Sequence, residues 1–127
     1  MELVKPEYRV RTIHPFPETD PDFAIEMRKL SSSEMNRIYD RHGYNPGNKQ
    51  TMGKLEKVLR DMACTAIVRV KGATQNGAPL DPEADETKLL LLEVPVEVDG
   101  ETKSLWDYVG ALAAEEEKRE AKNSQRP

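Results

Sequence analysis

A chain of 127 residues with 23 acidic and 19 basic side chains, net charge -4, is long enough to bury one core, and it lacks the basic excess that would neutralise a phosphate backbone. One cysteine, Cys64, excludes an internal disulfide, and the longest unbroken aliphatic run, residues 89–92, is far shorter than the roughly 20 residues that cross a bilayer. The chain opens with neither the apolar core nor the cleavage pattern of a secretory signal, so a cytoplasmic setting is expected, with neither nucleic acid nor membrane as a partner.

Pro6, Pro15, Pro17 and Pro21 rule out a long helix over residues 1–22, while residues 8–13 alternate in the manner of a short strand. After a turn over residues 14–21, Phe23, Ile25 and Met27 alternate with Ala24, Glu26 and Arg28, which predicts a second strand with one buried face. Together they form a two-stranded antiparallel ribbon, marginal alone in water, that must lie against helices. Ser31 stands three residues before Glu34, the reciprocal capping arrangement, and predicts a helix over residues 31–42 with Met35, Ile38, Tyr39 and His42 on one side and Gly43 at its end.

Residues 44–50 are turn chemistry, and Thr51 is the expected cap of a central helix running to Lys71 and Gly72. Leu55, Val58, Leu59, Met62, Ala63, Ala66, Ile67 and Val70 recur at three- and four-residue steps and stack into one apolar stripe. The same projection sets Cys64 and Val68 on a minor apolar edge away from the stripe, free for a second element or a partner. Asn76-Gly77 marks a tight turn, and Asp81 followed by Pro82 predicts a third helix from Pro82 to about Leu92. A rival reading makes residues 89–98 a strand, which Pro95 would confine to an edge.

Asp99-Gly100 is a further turn, after which Thr102 or Ser104 caps a last helix over residues 103–118 carrying Leu105, Tyr108, Val109, Leu112 and Ala113 on one face, with Trp106 at its margin. Beyond Ala114 the run keeps helical propensity but loses the stripe, so residues 115–127 read as a charged tail, partly helical or disordered, that frays towards Pro127. The expected architecture is a single α+β domain over residues 1–114, mainly helical, in which the N-terminal ribbon packs on three or four helices.

His14 and His42 are the only imidazoles, and neither has a companion at metal-ligand spacing; Cys64 has no histidine at helical distance and reads as a packing residue. The acidic run Asp81, Glu83, Asp85 and Glu86 lacks the glycine and distal glutamate of a calcium loop and is better explained by the dipole of a helix start. Lys5, Arg9 and Arg11 fit a solvated strand edge that discourages aggregation. No catalytic, cofactor-binding or metal-ligating set is expected. The contact candidates are Cys64 and Val68, and the aromatic pair Trp106 and Tyr108, although a lone Trp in a small domain more often fills its own core.

The pattern Phe23-x-Ile25-x-Met27-x-x-Leu30-Ser31-x-x-Glu34, the apolar helix ending Val70-Lys71-Gly72, the stretch Asn76-Gly77-Ala78-Pro79-Leu80 and the leucine-rich segment after it resemble the small tail assembly chaperones of long-tailed bacteriophages and prophages. The resemblance spans residues 23–114; where that family often has an aromatic near the end of the central helix, this chain has Arg69, Val70 and Lys71. It implies a non-enzymatic protein of the bacterial cytoplasm that coats the tape-measure protein, recruits tail-tube subunits and is then released. It also implies a longer product made by frameshifting, for which the codons of Ala121-Lys122-Asn123 can supply a slippery A-AAA-AAC heptamer. The apolar edge at Cys64 and Val68 leaves a homo-oligomer open. The competing readings are a structural virion component, such as a head-tail connector or tail terminator, and a small regulatory protein-binding adaptor.

Overall fold

Three short strands, two hairpins and four helices follow one another in the computed structural model, which describes residues 9–124. The chain is therefore a mixed α+β protein. Strand β1 (Arg11–Ile13) pairs antiparallel with β2 (Ala24–Met27), as the alternation of the N-terminal segments predicts. Tyr8, Pro6 and Lys5 lie outside the described residues, as do residues 125–127, where the tail was expected to fray. Ile13, Ile25 and Met27 turn inward, and Phe16, Phe23 and Tyr108 stack at centroid distances of 6.0 to 6.2 Å, pinning the connecting loop to the last helix.

Helix α1 (Ser32–His42) has the capping box its sequence predicts: Ser31 Oγ accepts from the Glu34 amide, and Glu34 Oε1 accepts from the Ser31 amide, both at 3.1 Å. Its other end is a Schellman motif. Gly43, at φ 65°, donates its amide to the Asp40 carbonyl and Tyr44 donates to that of Tyr39, while the Tyr39 and Tyr44 rings meet at 5.3 Å, the apolar contact that accompanies this motif.

The central helix is shorter than its stripe predicts. A 3-10 helix (Lys49–Lys54) precedes helix α2 (Leu55–Ala66), and the predicted cap Thr51 instead donates to the Asn45 and Asn48 carbonyls, so its hydroxyl closes the loop. At the other end the chain leaves the helix at Ile67 and becomes strand β3 (Ile67–Lys71), which pairs antiparallel with β2 and completes a sheet of order β1-β2-β3. The reason lies in the register. Val70 faces Ile25 and Ile67 faces Met27, but Arg69 faces Glu26, so Val68 is the extra residue of a β-bulge. The bulge puts Ile67 and Val70, three apart in sequence, on the same buried face, which a regular strand of period two cannot do. Their spacing mimics a helix. On the other face Glu26 binds Arg69 at 3.3 Å and Lys71 at 2.9 Å, and the outer edge of β3 is closed by the Pro82 carbonyl, which accepts from the Val70 amide.

Asn76-Gly77 turns the small hairpin of β4 (Thr74–Gln75) and β5 (Ala78–Pro79). Asp81 does not cap the third helix. Its carboxylate accepts from the Glu83 amide in a local turn, and helix α3 (Asp85–Glu93) starts three residues later than Pro82, with Asp85 and Glu86 in its first turn. The two readings of residues 82–98 divide the segment: it is helix to Glu93, then strand β6 (Pro95–Val98), which pairs through the Asp99-Gly100 turn with β7 (Glu101–Ser104). Of the two candidate caps for the last helix, Thr102 lies within β7, and it is Ser104 whose hydroxyl accepts from the Asp107 amide. Helix α4 (Leu105–Ser124) then runs through the acidic segment. Ile13, Ile25, Met27, Ala63, Ile67, Val70, Leu91, Leu105 and Val109 form the buried core, so the sheet, α2, α3 and the first half of α4 share one interior.

Candidate partner-binding groove

The contact candidates of the sequence scatter. Cys64 is half-buried on α2, facing the α3 charges; burial chiefly, and then the Asp85 carboxylate, push its thiol above the ordinary 9.0, the opposite of a reactive thiolate. Val68, the bulge residue of β3, does not continue a helical edge from Cys64, because the helix that would align them ends at Ala66. Trp106 and Tyr108 are half-buried and pack against the chain's own core, and the Tyr108 hydroxyl donates to the Pro15 carbonyl at 3.4 Å.

The two histidines also part. His14 is exposed on the loop after β1, whereas His42 meets Asp61 of α2 at 2.9 Å. Arg41 binds the same carboxylate at 2.7 Å, so Asp61 ties the end of α1 to the middle of α2. Burial opposes the Asp61 charge, but the His42 hydrogen bond and the Arg41 charge outweigh it, and its pKa lies below the ordinary 3.8. Among the described residues no group of three or more His, Cys, Asp or Glu is placed to hold a metal ion, and no helix is long and apolar enough to cross a membrane.

What the fold does build is a groove of about 410 Å³ between α4 and residues 27–32, the chain leaving β2. Met27 and Leu30 supply one wall. Gly110, Ala113 and Ala114 supply the other, at the three- and four-residue spacing that lines up small side chains on one face of α4. A side chain added at Gly110 would meet nothing within 4 Å, so the space beside the helix is open.

Charge surrounds this apolar floor. Arg28 makes a bidentate pair with Glu34 at 2.7 and 2.9 Å, which joins the groove wall to the capping box of α1; that contact, then the Ser31 amide, lower the Glu34 pKa from the ordinary 4.5 to about 2. Lys29 reaches Glu117 at 3.0 Å, and Arg11 reaches Glu120 at 2.9 Å through Nη2, with Arg9 3.8 Å from the same carboxylate. The strand edge at Arg9 and Arg11, expected to be solvated, is therefore tied to the distal turns of α4, and the Arg11 side chain is only 20 % exposed. Its Nη1 is buried and has no acceptor among the described residues. The sequence conceals this groove because its two walls are some 90 residues apart and become neighbours only when α4 crosses the ribbon; the capping box is its only local trace.

A second apolar hollow of about 280 Å³ lies between β3 and α3, where Phe16, Phe23, Leu80, Leu90 and the exposed Val94 meet. It has no comparable ring of charge. Compared with protein-family models, curated proteins and solved structures, the chain finds a match in none of the three.

Proposed function

We propose that this protein is a tail assembly chaperone of a long-tailed bacteriophage or prophage. It acts in the bacterial cytoplasm without catalysing a reaction, holding amphipathic segments of the tape-measure protein and recruiting tail-tube subunits. The observation that carries the reading is the groove beside α4: an apolar floor of Met27, Leu30, Gly110, Ala113 and Ala114 with open space above it suits the apolar face of a foreign helix. The sequence resemblance over residues 23–114 supplies the kind of partner. Support for the finer architecture comes from the ribbon lying on the helices through Ile25 and Met27, with β3 added to it.

The test is co-expression with fragments of the tape-measure protein encoded beside this gene. The expected result is co-purification and a gain in the soluble fraction of those fragments; neither effect, or recovery of this chain from finished particles by mass spectrometry, overturns the proposal.

A further inference from the structure

We infer that the groove beside α4 selects an acidic amphipathic segment of a partner protein, whose apolar side chains fill the space over Gly110 and whose carboxylate is taken by Arg11. The inference deepens the chaperone reading, since it takes the same groove as the partner site, but it needs nothing of the partner beyond its chemistry.

Arg11, Arg28 and Lys29 line the groove, and each has a carboxylate of the chain beside it, Glu120, Glu34 and Glu117 in turn. Arg28 is committed to Glu34, so the selection falls to the other two. Arg11 uses Nη2 on Glu120 while its buried Nη1 has no acceptor among the described residues. A guanidinium offers its donors as a planar fork that fits a carboxylate, and a buried donor left unmade is costly, so Nη1, closed to solvent in the free chain, gains an acceptor when the fork turns onto an anion in the groove. Lys29 is joined to Glu117 at 3.0 Å with both side chains about half exposed or more, a pair weak enough to yield to an incoming carboxylate. The floor decides the rest of the occupant. Small residues one turn apart on α4 let another backbone come close, and Met27 and Leu30 reward apolar side chains. A polyanion with no apolar face gains only the charge, and a basic segment meets the cations.

The experiment uses the full chain and three helical peptides that share one apolar face, with the polar face built from Glu, Gln or Lys, and reads affinity by fluorescence anisotropy. The Glu peptide is expected to bind at least about 10-fold tighter than the Gln peptide, as a charge-assisted pair outweighs a neutral one, and the Lys peptide most weakly. Arg11→Gln narrows the gap between the Glu and Gln peptides, and Lys29→Gln added to it closes the gap. Gly110→Leu, a substitution into open space on a helix, abolishes binding of all three while the chain resists urea at least as well as the natural one.

Equal affinity for the Glu and Gln peptides, indifference to Arg11→Gln, or full binding by Gly110→Leu overturns the inference. So does tighter binding of a single-stranded nucleic acid than of the Glu peptide, or self-association of the free chain that Gly110→Leu removes, which would give the groove to a second copy. Tape-measure fragments that co-purify as well with Gly110→Leu as with the natural chain overturn this inference and leave the chaperone reading standing. The expected peptide series without any tape-measure co-purification overturns the chaperone reading alone.

Discussion

Gly72 and Gly110 answer the same added methyl group in opposite senses, because the backbone decides what a Cβ costs. Gly72 ends β3 at φ 74°, and a Cβ there would collide with the Asp22 carbonyl, part of the backbone that leads into β2. Gly72→Ala therefore combines left-handed strain with a clash that no side-chain rotation relieves, and the expected loss in urea unfolding is at least about 2 kcal/mol. Gly110 sits within α4 with nothing in reach of a new Cβ. Alanine there only narrows the unfolded ensemble, and Gly110→Ala is expected to gain about 0.5–1 kcal/mol in the same measurement.

Glu34 gives the residue scale its pH dependence. Its carboxylate accepts from both Arg28 nitrogens and from the Ser31 amide, and its pKa falls to about 2 from 4.5. A depressed carboxylate contributes stability that is complete above the unfolded value and is lost as pH falls from 4.5 towards 2. Glutamine keeps the reciprocal cap but not the charge. Glu34→Gln is thus expected to lower stability at neutral pH by on the order of 1 kcal/mol and to unfold with a shallower acid slope, the two proteins converging near pH 2. Parallel acid titrations of the two proteins, followed by circular dichroism, check the sign.

At the scale of elements, what the sequence discloses is whatever a few neighbouring residues decide. The Ser31–Glu34 box, the Gly43 stop and the Asn76-Gly77 and Asp99-Gly100 turns are all local chemistry and stand where that chemistry puts them. The end of the central helix is not local. Ala66 to Val70 satisfies a helical stripe, yet β2 has an open ladder edge that only a strand can fill, and three of the five residues of β3, Ile67, Val68 and Val70, are β-branched. The bulge at Val68 reconciles the two patterns, which predicts how the segment tolerates shortening. Removing Val68 leaves Ile67 opposite Met27 and Arg69 opposite Glu26 with regular alternation between them, so that deletion is expected to fold cooperatively with a loss under about 2 kcal/mol. Removing Thr65 instead turns the preceding helix by about 100° relative to β3, displaces Val58 from the interior and is expected to abolish cooperative unfolding in the same urea titration. Equal losses would argue that Val68 is held by something other than the bulge.

The whole molecule is uneven in stability, and the unevenness falls on the groove. The first half of α4 is anchored by Leu105 and Val109, 4 % and 0 % exposed, while beyond Ala113 the helix has no fully buried side chain among the described residues. Its distal turns are held to the ribbon by Glu117 on Lys29 and Glu120 on Arg11 and Arg9, pairs whose members, Arg11 apart, are about half exposed or more. Such pairs contribute about 0–1 kcal/mol each and are screened by salt, so the second half of α4 opens far more readily than the chain unfolds. Hydrogen exchange is expected to show amides over residues 105–113 protected close to the global limit and those over residues 117–122 exchanging through local opening, faster in about 1 M salt, where the Debye length is about 3 Å. Glu117→Gln with Glu120→Gln should abolish the residual protection of the distal turns while changing the unfolding free energy in urea by less than about 0.5 kcal/mol, since surface changes of this kind leave the core untouched. The same double substitution frees Lys29 and the Nη2 of Arg11 at once, beside an Nη1 that already lacks an acceptor among the described residues. If the groove takes an acidic segment, the variant binds the Glu peptide more tightly than the natural chain does, even though its helix is looser. If distal α4 must be ordered for binding, the affinity falls, and the two Glu side chains are then a brace for the groove wall.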